Sequence, residues 1–237
     1  MSDITFGHTG DLGDIIASLP SVRAHGNANY VIGWKADGQR ESMRGERFDT
    51  IKPLLQIQPY IQSVEWLEHF DIGVTDFTKF RTKYQPSKSL LVQQAEAVGL
   101  EKVDDSPWLT IPQVVVHNRP IIARTNRYRN SMFPWRKLLD KFKNGLFIGN
   151  KIEHFDFENQ YGKIEKANTP TLLDMACLIQ SSPILICNQS CPFWIGAGLG
   201  VPIIQETYHP DMNSIVPRRN ILYTRNAAEI NKLLDTL

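Results

Sequence analysis

Short apolar runs, many of them ending at a turn residue, recur along the chain. They predict strands over Ile4–Phe6, Tyr30–Trp34, Ser63–Leu67, Trp108–Ile111, Ile121–Arg124, Leu146–Ile148, Ile184–Cys187, Ile203–Gln205 and Ile221–Tyr223. The runs lack a clean period of two, as expected of strands covered on both faces. Between them the apolar positions shift to helical spacing. Leu12, Ile15, Ile16, Leu19 and Val22 form one stripe over Leu12–Arg23, with a kink or early end expected at Pro20. Further helices are predicted over Ser89–Val98, Trp135–Phe142, Glu153–Tyr161, Thr171–Gln180, Pro192–Leu199 and Ala227–Leu237. Gly99, Gly145, Gly162 and Gly200 close four of them, and Thr169 is a plausible N-cap ahead of the fifth.

This alternation predicts an α/β protein with parallel sheets. The middle breaks the rhythm. Residues 68–88 read as irregular, and 101–119 are rich in Asp, Pro and Val. A junction near 112–119 divides the 237 residues into an N-terminal domain, 1–115, and a C-terminal domain, 116–237. Each would be a small doubly wound, Rossmann-like domain, with ligands bound beyond the carboxyl ends of the strands and hence in the cleft between two facing domains. No internal repeat or low-complexity stretch is present.

Composition narrows the class. Hydrophobic residues make up 42%, enough for a real core, and the net charge of +1 gives no global field for nucleic acid or membrane, although local patches remain open. The three cysteines, Cys177, Cys187 and Cys191, do not suggest a disulfide framework, and their spacing is not that of a zinc knuckle. No metal site is expected. The N-terminus lacks a signal pattern, and no apolar run approaches the ~20 residues of a membrane span. A soluble, cytoplasmic protein is expected.

Two segments carry candidate chemistry. "GHTGDLGDIIASLPSVRA", residues 7–24, runs from a strand through a glycine-rich turn into a helix. Such a turn brings a ligand to a helix N-terminus, yet this one holds Asp11 and Asp14, which repel phosphate. "PILICNQSCPFWIGAGLGVPIIQET", residues 183–207, is a second strand–turn–helix unit. Ser190 can cap its helix and Pro192 can sit in the first turn, leaving backbone N–H groups for an anion. An ordinary βα unit would look similar.

Both segments resemble the heptosyltransferase-like glycosyltransferases, glycosyltransferase family 9. Asn188-Gln189-Ser190-Cys191-Pro192 followed by Gly200-Val201-Pro202 is similar to that family's "N-D-S-G-P" turn and "G-V-P", with Gln in place of Asp and Cys in place of Gly. Gly10-Asp11-Leu12-Gly13-Asp14 and Ser18-Leu19-Pro20-Ser21-Val22-Arg23-Ala24 resemble its "S-S-L-G-D" and "T-x-P-A-L-R-A". "IIARTNRYRNSMFPWRKLLDKF" and "GLFIGNKIEH" resemble its basic loop and the following strand. Residues 35–110 match poorly, and the chain is shorter than typical members.

The resemblance implies two facing Rossmann-like domains of the glycosyltransferase B type with a trimmed N-terminal domain. It implies a metal-independent, inverting transfer from a nucleotide-diphosphate sugar to an acceptor hydroxyl, with no cofactor. The acceptor would be a glycan or lipopolysaccharide, with a hydroxylated DNA base more remote. Asp14 takes the place of the family's general base, with helix capping as its alternative role, and Asp11 is a weaker candidate for capping or orienting the acceptor. Gly10 and Gly13 would let backbone approach the ligand. Arg124, Arg127 and Arg129 would hold phosphate, or form a solvated basic loop. Tyr128, Phe133 and Trp135 could stack on a base, Trp135 rather packing the helix start. Glu153 and His154 could bind ribose or base. Asn188, Gln189, Ser190 and Cys191 would meet the pyrophosphate. His8 lies near the first turn as a further substrate contact, and Glu206 and His209 are ambiguous. A non-catalytic nucleotide-sugar binder is the alternative function. An NAD-type dehydrogenase is disfavoured because Gly7, Gly10 and Gly13 have the wrong spacing.

Overall fold

The first apolar run forms β1, Ile4–His8, in a computed structural model that describes residues 4–33, 46–68, 70, 73–112, 116–224, 228 and 232. Helix α1, Leu12–His25, follows, then β2, Ala28–Gly33, α2, Glu46–Gln56, and β3, Ile61–Leu67. A two-residue strand β4, Thr75–Asp76, leads into a 3-10 helix, Phe77–Lys83, and α3, Leu90–Ala97, closes this half. The first sheet has the order β3-β2-β1-β4, all parallel.

The second half alternates β5, Ile121–Ala123; α4, Trp135–Lys141; β6, Leu146–Phe147; α5, Lys151–Tyr161; β7, Glu165–Lys166; α6, Leu172–Gln180; β8, Leu185–Asn188; α7, Cys191–Leu199; β9, Ile203–Glu206; and β10, Ile221–Thr224. Its six strands pair in parallel in the order β10-β9-β8-β5-β6-β7. The order turns back at β8 and β5, the kind of switch point beyond which ligands bind. α1 packs against α7 and α2 against α6, so helices from the two halves share one core.

Several expectations change. α1 runs through Pro20 without ending, because residues Ile15 to Val22 are all buried and that packing outweighs the ~3 kcal/mol a helix-interior proline costs. Trp108–Ile111 is not a strand. The Trp108 and Leu109 N–H groups both donate to the Gly198 carbonyl, at 2.8 and 2.9 Å, so this stretch lies across the end of α7. A Cβ on Gly198 would meet Leu109 at 2.7 Å, which is why that helix face is bare. Gly200 ends α7 at φ +77°, a left-handed C-cap that favours glycine. α2 is a helix the pattern did not predict, and the irregular stretch 68–88 contains the 3-10 helix, capped by Asp76, which accepts the Thr78 N–H at 2.8 Å. β3 is a polar edge strand with Gln62, Glu65 and Trp66 exposed, not a strand covered on both faces. Trp34, residues 113–115 of the junction and the Ala227–Leu237 helix, apart from 228 and 232, lie outside the described residues. Among the described residues no helix is long and apolar enough to cross a membrane.

Candidate functional site

The N-termini of α1 and α7 meet. A Cβ on Gly13 would stand 3.2 Å from Trp194 Cδ1 and 3.5 Å from Cys191 Cα. Gly13 therefore admits a neighbouring helix, and it also lines the cavity above this junction. Gly10 is bare for a different reason: a Cβ there would strike the His8 ring at 2.5 Å and Asp14 Oδ2 at 2.6 Å. Over this junction opens a cavity of about 710 Å³, lined from the first half by Asp11, Asp14, Arg47, Arg81 and Tyr84 and from the second by Arg127, Tyr128, Glu153, Gln189, Ser190 and Cys191, among others.

Asp11 is the α1 N-cap, and its backbone N–H donates to Asp14 Oδ2 at 3.3 Å, which holds the second carboxylate over the turn. Both carboxylates are met by arginines. Arg81, from the 3-10 helix, donates to Asp14 in a close ion pair. Arg127 reaches Asp11 at 3.3 Å, and Arg47, on α2, stands at 3.9 Å. Arg47 and Arg81 were not singled out by sequence, because they sit in the segment without a readable motif.

His8 does not reach this cavity. It is fully buried, stacked on Phe77, and its Nδ1 accepts the Gly10 N–H at 2.8 Å. Burial, assisted by the nearby Arg81 charge, pushes its pKa down to about 3, so it is neutral and structural. Gln94 of α3 contacts His8 Nε2 at 3.0 Å and donates to the Asp14 carbonyl at 3.0 Å, tying β1, α1 and α3 behind the turn.

The three arginines of the basic loop separate into three roles. Arg124 is buried, and its guanidinium grips Glu206 through two bonds of 2.8 Å, with a third to Gln160 Oε1 at 3.0 Å. Burial works against its charge, but the hydrogen bonds and charge of Glu206 outweigh burial and hold its pKa up. Three of its five N–H donors are thus committed inside the protein, although Arg124 still borders the cavity. Glu206 also accepts the Asn130 N–H at 2.8 Å and the Trp135 Nε1–H at 3.0 Å. Arg129 turns to the Thr125 carbonyl, Asn126 and, at 3.8 Å, Asp156. Arg127, 60% exposed, extends into the cavity, and Arg124 lines its floor, whereas Arg129 does not border it. Tyr128 beside it is the single non-glycine residue with positive φ among those described, at 54°. Phe133 and Trp135 are core residues, and His154 bonds the Ile164 carbonyl at 2.8 Å. None of the three lines the cavity, nor does exposed His209.

The Asn188–Cys191 turn is likewise split. Asn188 is fully buried. Its Oδ1 accepts the Thr125 N–H at 3.0 Å and its Nδ2 donates to the Arg127 carbonyl at 2.6 Å, clamping the basic loop to the end of β8. Gln189 bridges the 208–211 loop, donating to the Asp211 carbonyl and accepting the Tyr208 N–H, both at 2.5 Å. Ser190 makes no side-chain cap, and its hydroxyl turns to the Asn188 carbonyl at 3.2 Å. Pro192 has no donor and the Phe193 N–H bonds Ser190 O at 3.0 Å, so few first-turn donors of α7 are left for an anion. Cys191 lines the cavity as a thiol: burial first, then the Asp11 and Asp14 charges, push its pKa up to about 12. Glu153 forms a reciprocal cap with Asn150, at 2.8 and 3.0 Å, and burial raises its pKa. Among the described residues, no group of three or more His, Cys, Asp or Glu is placed to hold a metal.

No family model matches the sequence, and no curated protein is significantly similar to it. Solved structures are similar in fold over the whole chain. The glycosyl transferase family 9 protein of Veillonella parvula DSM 2008 matches 100% of this chain and 90% of its own, at 14% identity and a TM-score of 0.61. The E. coli heptosyltransferase WaaC with ADP matches 99% of each chain at 10% identity and a TM-score of 0.62. The iron-containing dodecameric glycosyltransferase TibC of enterotoxigenic E. coli H10407 matches 95% of this chain and 63% of its own, at 14% identity and a TM-score of 0.56. The fold is thus that of the heptosyltransferase-like glycosyltransferases.

Proposed function

We propose that this protein transfers a sugar from a nucleotide-diphosphate donor to an acceptor hydroxyl, with inversion, in the cavity between residues 1–115, the acceptor side, and 116–237, the donor side. The observation that carries the reading is the juxtaposition of two carboxylates on the α1 N-terminus with Arg127 and the α7 N-terminus across one cavity. Among the described residues the first sheet holds four strands and the second six, in keeping with a smaller N-terminal half. Free thiols at Cys177, Cys187 and Cys191 support a reducing, cytoplasmic setting.

In this reading Asp14 takes the acceptor hydroxyl proton as the oxygen attacks the anomeric carbon. The bond from that carbon to the diphosphate oxygen breaks, and the electron pair leaves with the diphosphate. Arg127 and the remaining α7 N–H donors meet the developing charge without a metal. Glu153 and Tyr128, both on the cavity wall, face the nucleoside. Arg81 must yield Asp14 to the acceptor, as a partly exposed pair can, since such pairs contribute only ~0–1 kcal/mol. The acceptor is a glycan hydroxyl, with a nucleic-acid hydroxyl as a remoter class.

A thermal-shift series with nucleotide-diphosphate sugars tests this. At 100 times its dissociation constant a true donor stabilises by about 2.7 kcal/mol, a shift of roughly 5–10 °C for a chain of this size. No shift with any donor would remove the proposal. The pairing of both Asp11 and Asp14 with arginines favours one alternative, a non-catalytic nucleotide-sugar binder. A large shift with no turnover of the donor would select it.

A further inference from the structure

Charge is unevenly placed along the chain. Residues 119–151 hold nine of the 26 Lys and Arg and a single acid, Asp140, while the chain as a whole carries +1. Arg124 is committed inside the fold to Glu206, whereas Arg119 pairs with Glu165 at 2.8 Å with both side chains at least partly exposed. Others surround an apolar surface. Ile152 and Phe155, one turn apart on α5, are 67% and 62% exposed, and Met132, in the loop before α4, is 70% exposed. The 3.8 Å approach of Arg129 to Asp156 ties that loop to the same side of α5. Arg136 donates to the Gln160 carbonyl at 3.0 Å, which sets its guanidinium beside the far end of α5, and exposed Lys151 opens the helix.

We propose that Met132, Ile152 and Phe155, flanked by Arg129, Arg136 and Lys151, form a docking surface for an anionic lipid bilayer. Aliphatic and aromatic side chains that protrude among cations suit the headgroup boundary, where apolar groups leave water and cations meet anionic headgroups. Nucleic acid fits less well, because Met132 and Ile152 offer no ring for a base to stack on. A second copy of this chain also fits less well. Three side chains cover a few hundred Å² at most, short of the ~1,000 Å² total that a specific interface buries. The surface adjoins the cavity, since Asn150 and Glu153 of the same helix start line it. Docking here would hold the opening near the membrane. The proposal does not depend on the glycosyl-transfer reading.

Vesicle sedimentation with the full chain tests it. Vesicles of phosphatidylcholine containing phosphatidylglycerol should bind the protein, pure phosphatidylcholine should not, and added salt should weaken binding because charges are screened within ~10 Å at 0.1 M. The variant carrying Ile152→Gln and Phe155→Gln keeps good helix formers on an exposed face, so it should fold normally, with partitioning reduced at least roughly tenfold. Lys151→Gln should reduce partitioning about fivefold, one surface charge being worth about that factor. Equal partitioning of wild type and variants, or no binding to the anionic vesicles, would overturn the proposal. So would tighter binding to duplex DNA than to vesicles at the same salt, or a wild-type dimer that the double variant abolishes.

Discussion

The two arginines of the basic loop should fail in opposite ways. Arg124→Ala removes one partner of a buried fork and leaves Glu206, fully buried, facing an empty space. Breaking a buried pair from one side costs about 3–5 kcal/mol, a large part of the 5–15 kcal/mol that holds a domain folded. Arg127→Ala removes a side chain that is 60% exposed and paired with Asp11 at 3.3 Å, so its effect on stability should stay within about 0.5 kcal/mol. Binding should invert the order. A charge-assisted hydrogen bond to phosphate is worth ~1.5–3 kcal/mol, so Arg127→Ala should weaken a nucleoside diphosphate roughly 10- to 150-fold and the bare nucleoside hardly at all. Urea denaturation of both variants, beside calorimetric titration with the two ligands, measures all four quantities. Adding Glu206→Gln to Arg124→Ala should recover part of the lost stability, because the stranded charge goes with it. If Arg124→Ala unfolds like wild type and loses diphosphate binding while Arg127→Ala keeps it, the assignment of the two arginines is reversed and the reasoning from burial is wrong.

Two further outcomes are expected. Asp14→Asn retains an acceptor for the Asp11 N–H and frees only a partly exposed Arg81, so fold and donor affinity should survive while turnover drops roughly 10²–10⁴-fold; a mutant as fast as wild type, or a larger loss in Asp11→Asn, moves the base elsewhere. Folded His8 stays neutral down to about pH 3, whereas in the unfolded chain it takes a proton near pH 6.5, so between those values the unfolded state binds more protons and stability falls as pH falls. Between pH 7 and pH 5 this should cost about 2 kcal/mol, and the His8→Gln variant should show a shallower acid dependence in denaturant midpoints across that range; an unchanged slope would refute the linkage.

Much of the fold is legible in the sequence because each element is bounded locally. Apolar runs ending in turn residues mark eight of the strands to within a few residues, and Ser190, Pro192 and Gly200 bracket α7 by their own backbone preferences. The two strand–turn–helix units that build the cavity are visible for the same reason, as is Arg127 on the loop between them. What sequence could not decide is which of several like residues is spent on packing. Arg124, Arg127 and Arg129 are equivalent as letters. Their fates diverge because Glu206, 82 positions downstream of Arg124, arrives at the end of β9, two strands from β5 across β8, and takes one guanidinium out of solvent. His8 and Asn188 look like ligands beside their turns, yet β-sheet pairing buries both and turns their polar atoms onto backbone. Arg81 reaches Asp14 across 67 residues from a 3-10 helix with no motif of its own. Local preference is set by neighbours in the chain, whereas the commitment of a charge depends on burial and on a partner that only the packed chain brings within hydrogen-bond range.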